Sequence, residues 1–210
     1  MILSLLFSSP IAFFVLAGTL LVAITIHEFA HAWAADRLGD PTPRYQGRVT
    51  LDPRAHLDPL GTLALLIVGF GWGKPVEYDP YNLKDPLKDG ALIALAGPAS
   101  NLVLALAISL IAGLTDLTSI INPGIIETVV AINVMLAIFN LVPVFPLDGS
   151  KIVLAALPRQ ISYEYEQFMH QYGTYLLLIL LIPWASGRSP VSLLITPVIN
   201  TVVNYLSLLW

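Results

Sequence analysis

Residues 11–35 read IAFFVLAGTLLVAITIHEFAHAWAA, a run of twenty-five whose only ionisable groups are His27, Glu28 and His31. As a helix the run reaches roughly 37 Å at 1.5 Å per residue, enough to cross a bilayer with some tilt. The ten residues before it, MILSLLFSSP, contain no Lys or Arg. They lack the positive start of a signal peptide, so the helix reads as retained. Two imidazoles and a carboxylate are costly inside a membrane span and mark function by default.

Composition points the same way. Of 210 residues, 56% are hydrophobic and 11% charged, whereas a soluble domain is about 25% charged. A disordered chain, a collagen and a disulfide-stapled secreted domain are excluded, the last by the lack of any cysteine. A net charge of −4 leaves no basic footprint for nucleic acid. Further full spans are expected near residues 90–113 (interrupted by Gly97-Pro98 and carrying Asn101), 125–142, 163–184 and 191–209. Residues 60–70 are apolar but too few to cross as a helix, which suggests a re-entrant segment. Residues 46–51 alternate weakly and are a candidate strand. After them Gly69, Gly71 and Gly73 alternate, a pattern suited to a turn or a close backbone approach. The expected architecture is an all-α polytopic membrane protein with a re-entrant loop or small β element, a single membrane-embedded domain over residues 1–210.

Charge sets the sidedness. With residues 60–70 not crossing, nine of the ten Lys and Arg fall on one side, and only Arg188 lies opposite. The positive-inside rule puts those nine in the cytoplasm and makes the chain a multi-pass protein of the cell membrane, with the lipid bilayer as its surroundings. Its N-terminus would lie outside and its C-terminus inside. His27 precedes Arg37 by ten residues, about 15 Å at helical rise, so the site faces the cytoplasmic side.

His27-Glu28-Phe29-Ala30-His31 has the form HExxH. Residues i and i+4 are about 40° apart on a helix, so both imidazoles reach one metal ion. Glu28 points about 100° from His27 and suits a general base rather than a ligand on that face. A catalytic zinc takes three protein ligands, leaving His56, His170 or a carboxylate for the third place. Asp148 is the best-placed carboxylate, at the broken end of an apolar span in Pro143-Val-Phe-Pro-Leu-Asp148-Gly149. The same position suits an N-cap or a Leu-Asp-Gly turn, and spacing leaves both roles open.

HEFAH in an early membrane helix, followed far downstream by Asn140-Leu-Val-Pro143-Val-Phe-Pro146-Leu147-Asp148-Gly149, resembles the site-2 protease family of intramembrane zinc metalloproteases, peptidase family M50. Gly97-Pro98-Ala99-Ser100-Asn101 resembles its G-P-x-x-N stretch. The segments His56 to Thr62 and Gly71 to Val76 look like parts of its minimal prokaryotic members, which carry no PDZ domain. The resemblance implies one Zn2+ per chain on His27, His31 and Asp148, with Glu28 activating water. It also implies a catalytic role for Asn140, orienting substrate or stabilising the oxyanion. The catalytic core would be three helices within about residues 10–157, followed by two C-terminal spans at about 162–209. Substrates would be single-span membrane proteins, unwound locally and bound by strand addition along residues 46–51 or 69–76. His56, Phe70, Gly71 and Asn101 are the candidates for substrate contact or gating. His56 also suits a loop-stabilising hydrogen bond. Two other classes could use these residues, a metal-binding membrane transporter and a non-proteolytic membrane adaptor. The sequence fixes no oligomeric state.

Overall fold

Several helices in this chain start with a capping side chain followed by proline. Proline presets φ and forfeits only an N–H that the first turn does not use, while the side chain before it accepts a free N–H. The computed structural model describes residues 2–69, 71–184 and 187–210. Its α-helices are α1 (Ile2–Ser8), α2 (Pro10–Leu38), α3 (Thr42–Tyr45), α4 (Pro59–Val68), α5 (Pro86–Leu114), α6 (Pro123–Asn140), α7 (Asp148–Ala156), α8 (Arg159–Leu181) and α9 (Pro190–Ser207). Asp58, Asp85, Asn122 and Ser189 cap α4, α5, α6 and α9, each immediately before the proline. Helix α2 ends at Gly39, whose φ of +116° lies in the left-handed region, with its N–H bonded to the Ala35 carbonyl.

Among the described residues four helices (α2, α5, α6 and α9) are long and apolar enough to cross a membrane. The chain is thus a multi-pass membrane protein built almost wholly of helix. Helix α5 is central and packs on α2, α6 and α7, while α2 also meets α6 and α9 leans on α6. The seams between them are lined by small residues: Ala23, Ala32 and Ala35 on α2, Ala105 and Ala112 on α5, and Ala137 on α6 are all buried. In lipid no hydrophobic force drives helices together, so close packing of small side chains carries the association.

The structure departs from the sequence expectations at four places. The second span is not interrupted at Gly97-Pro98, because α5 runs through Pro98 unbroken for 29 residues. The fourth expected span, α8, has 23 residues, but its unbroken apolar run is confined to residues 176–181, so length and apolarity coincide only in the other four. Residues 46–51 do not form a strand. Gly47 takes a φ of +68° and the Arg48 N–H folds back to the Pro43 carbonyl, so local turn bonds override the weak alternation. The small β element is reduced to one antiparallel bridge, Leu57 with Gly73, and no strand occurs among the described residues.

The re-entrant expectation fits α4. Its ten residues reach only about 15 Å, half a hydrocarbon core. Backbone meets backbone where the chain returns. A Cβ at Gly61 would overlap the Trp72 carbonyl, and one at Gly71 would overlap the Gly61 carbonyl and the Leu65 side chain. These glycines press residues 71–73 against α4 and hold them beside α2.

Candidate metal centre

His27 and His31 sit one turn apart on the buried side of α2, their rings edge to face with centroids 4.6 Å apart. Each ring is fixed from behind. His27 Nδ1–H donates to Asn101 Oδ1 at 2.7 Å, and His31 Nδ1–H donates to the Ile93 carbonyl at 2.7 Å. Both partners lie on α5. Protonation at Nδ1 leaves each Nε2 with a free lone pair on the same side, the tautomer a metal ligand needs.

Both Nε2 atoms face one oxygen, Asp148 Oδ2, at 3.1 Å from His27 and 3.3 Å from His31. A tetrahedral zinc with bonds of about 2.0–2.1 Å separates its ligand atoms by about 3.3 Å, so this spacing fits the ion. The three residues are the group of His, Asp and Glu among the described residues whose ligand atoms converge enough to hold a metal. The geometry also separates the two roles left open for Asp148. Helix α7 is capped at Leu147 with no side-chain cap bond, and the Asp148 carboxylate turns to the imidazoles instead. Neither His56 nor His170 joins the group. His56 is fully buried with Nε2–H on the Thr50 carbonyl, and His170 stacks near Phe145.

Space for the rings comes from Gly97. A Cβ there would run into both imidazoles. Behind His27 a polar chain continues. Asn101 Nδ2 donates to the Ala23 carbonyl and to Asn133 Oδ1, and Asn133 Nδ2 returns to the Val129 carbonyl of α6. Asn101 is completely buried and lies behind the centre, away from the cavity in front of it. Sequence reasoning did not single out Asn133, although an asparagine at the middle of an apolar span was the available signal.

In front of the centre opens a mostly apolar cavity of about 650 Å3. His27, Glu28, His31, Asn140, Asp148 and Gly71 all line it. Glu28 is half-buried, and its Oε2 has no hydrogen-bond partner among the described residues. Asn140, at the end of α6, returns its Nδ2–H to the Leu136 carbonyl. Phe70 lies outside the described residues. The cavity also holds Lys151, another residue the sequence reading passed over, with its Nζ 4.9 Å from the Tyr78 ring centre. Burial pushes the Lys151 ammonium below the usual lysine range, against the pull of Asp148 and Glu28. Burial also raises the Tyr78 phenol, with Asp148 adding to the effect.

Comparison with known proteins bears on this arrangement. The family model described as Peptidase family M50 matches residues 113–180, the stretch that carries Asn140 and Asp148. A Bacillus subtilis protein named "Putative zinc metalloprotease YwhC" is 37% identical over 172 residues, covering 78% of each chain. A Mycolicibacterium smegmatis protein named "Putative zinc metalloprotease Rip2" is 32% identical over 187 residues, 83% of this chain and 68% of its own. "Zinc metalloprotease MJ0392" of Methanocaldococcus jannaschii is 25% identical over 78% of this chain and 40% of its own. No solved structure matches at a significant level.

Proposed function

The chain belongs to peptidase family M50, the zinc metalloproteases, and on that premise we propose that it hydrolyses peptide bonds within or near the transmembrane segments of other membrane proteins. The observation that carries this reading is position: a two-histidine, one-aspartate cluster with the Glu28 carboxylate on the same cavity wall opens onto an apolar cavity among membrane-spanning helices. Such a cavity suits an apolar segment of a single-span protein.

In this reading His27, His31 and Asp148 hold the zinc. Zinc there supplies Lewis acidity toward the scissile carbonyl and an acidified water. Asn101 and the Ile93 carbonyl keep the imidazoles aimed. Glu28 takes the proton from water and passes it to the leaving amine. Asn140, on the cavity wall, orients the substrate or steadies the developing oxyanion. The substrate backbone, unwound to expose the bond, needs partners in an apolar medium. Gly73 supplies them. In the bridge with Leu57 it is Lys74 N–H that bonds the His56 carbonyl, so the N–H and C=O of Gly73 itself turn to the other side. The charge asymmetry of the loops supports a cytoplasm-facing site.

Two substitutions test the roles against each other. Glu28→Gln in proteoliposomes with a single-span substrate should keep its zinc and lose cleavage by about 10²–10⁴-fold, the usual worth of a general base. Asp148→Asn should lose both, because a neutral amide is a poorer ligand. A Glu28→Gln protein that cleaves normally would overturn Glu28 as the base, whereas a metal-transit site would show no cleavage in either protein and would keep its metal transit in Glu28→Gln.

A further inference from the structure

Among the described residues three buried side-chain atoms have no hydrogen-bond partner: Glu28 Oε2, Arg48 Nε and His56 Nδ1. The three residues surround one short piece of backbone, residues 73–75. The His56 carbonyl accepts the Lys74 N–H at 2.7 Å. Arg48 donates from one terminal nitrogen to the Pro75 carbonyl at 3.0 Å and from the other to the Lys74 carbonyl. Glu28 Oε1 lies 3.4 Å from where a Cβ on Gly73 would be.

Arg48 is the unusual member. It is 3% exposed, and its guanidinium stands 3.8 Å from Glu28 Oε2. That distance is outside hydrogen bonding but inside the range of a desolvated charge pair. A buried cation spent on two backbone carbonyls is an expensive way to close a loop, since a neutral donor would satisfy them. A planar fork, however, fixes two acceptors at once and still presents its charge to a third group, which a lysine cannot do.

We propose that Arg48 is a positioning residue for the protease reaction: it locks the carbonyls of Lys74 and Pro75 and the carboxylate of Glu28 into one frame. The free edge of Gly73, where substrate backbone docks, is thereby held at a set separation from the general base. Arg48 and His56 occupy the inner backbone groups of this segment, and only the groups of Gly73 facing the cavity remain available. A loop free to drift would bind substrate at varying depth and present the wrong bond to Glu28. This rests on the reading of Glu28 as the base.

The test uses the full chain in proteoliposomes as Arg48→Lys and Arg48→Met, each with and without a Val76→Cys reporter, the chain having no native cysteine. Zinc content should be unchanged, because no zinc ligand is touched. Maleimide labelling at position 76 should quicken at least about tenfold, and kcat/KM for a single-span substrate should fall at least about tenfold, mainly through KM. Arg48→Lys should recover little, since it restores charge without the fork. Labelling and KM at wild-type levels in either variant would overturn the proposal. So would loss of zinc in both, which would make Arg48 a requirement of folding instead. Glu28→Gln with Arg48 intact should label at position 76 at the wild-type rate. If Glu28→Gln stayed active, the reading of Glu28 as the base would fail while the labelling arm still reported on Arg48.

Discussion

Gly97 has no side chain because two imidazoles fill the place where one would go. The ring atoms are pinned from the far side by Asn101 and Ile93, so they have nowhere to retreat. Gly97→Ala should therefore push the rings off their shared focus and lower zinc affinity at least about tenfold, read by competition with a chelator. It should also cost about 1–3 kcal/mol of stability through overpacking. Asn101 makes a related prediction. Asn101→Ala frees His27 Nδ1 and leaves Asn133 without its donor, and loss of such an outer partner weakens a metal site about 10–100-fold. Asn101→Asp, which keeps the acceptor for His27, should lose less. His27, Glu28 and His31 were legible because ionisable groups stand out in an apolar run. Asp148 needed a partner to separate ligand from cap. Asn133 and Arg48 were not legible, because their roles depend on which residues of other elements they face.

At the scale of elements, hydropathy located each membrane helix, but its starts were misplaced by one to four residues. Asp58-Pro59, Asp85-Pro86, Asn122-Pro123 and Ser189-Pro190 mark those starts in the sequence itself. The strand over residues 46–51 failed because Gly47 and the Arg48 side chain are committed to a turn that clasps the segment carrying Lys74. A second clasp joins the same loops. Asp40, fully buried just past α2, accepts from the Thr42 N–H and hydroxyl, the Asp79 N–H and Asn82 Nδ2. Burial alone would raise its pKa, but these donors outweigh it and hold the carboxyl below the usual range. A depressed folded value means the carboxylate stabilises the fold above its unfolded pKa of about 3.9, and that contribution fades as pH falls through the folded value. Asp40→Asn should thus melt below wild type at pH 7, with the gap closing as pH drops beneath about 4. Melting curves of both proteins in detergent from pH 7 to pH 3 check this, and a gap that stayed constant would contradict it.

At the scale of the whole molecule the outcome turns on α4. If its ten residues crossed, the loops on either side would lie on opposite faces of the membrane and the positive charges would be divided between them. If α4 only dips, those loops share a face, Asp40 can tie residue 79 to the end of α2, and Arg48 can reach Lys74 and Pro75. Those bonds join the chain before α4 to the chain after it, so a crossing α4 would have to break them. The absence of cysteine makes this directly measurable. Tyr45 and Tyr81 are 84% and 96% exposed on the two flanking loops, and Ile120, 80% exposed, lies between α5 and α6. A membrane-impermeant maleimide applied outside intact cells should label Ile120→Cys at once, but Tyr45→Cys and Tyr81→Cys only after permeabilisation. Tyr45 and Tyr81 labelling from opposite sides would make α4 a true span. Labelling of both from outside would keep the dip but turn the metal centre away from the cytoplasm.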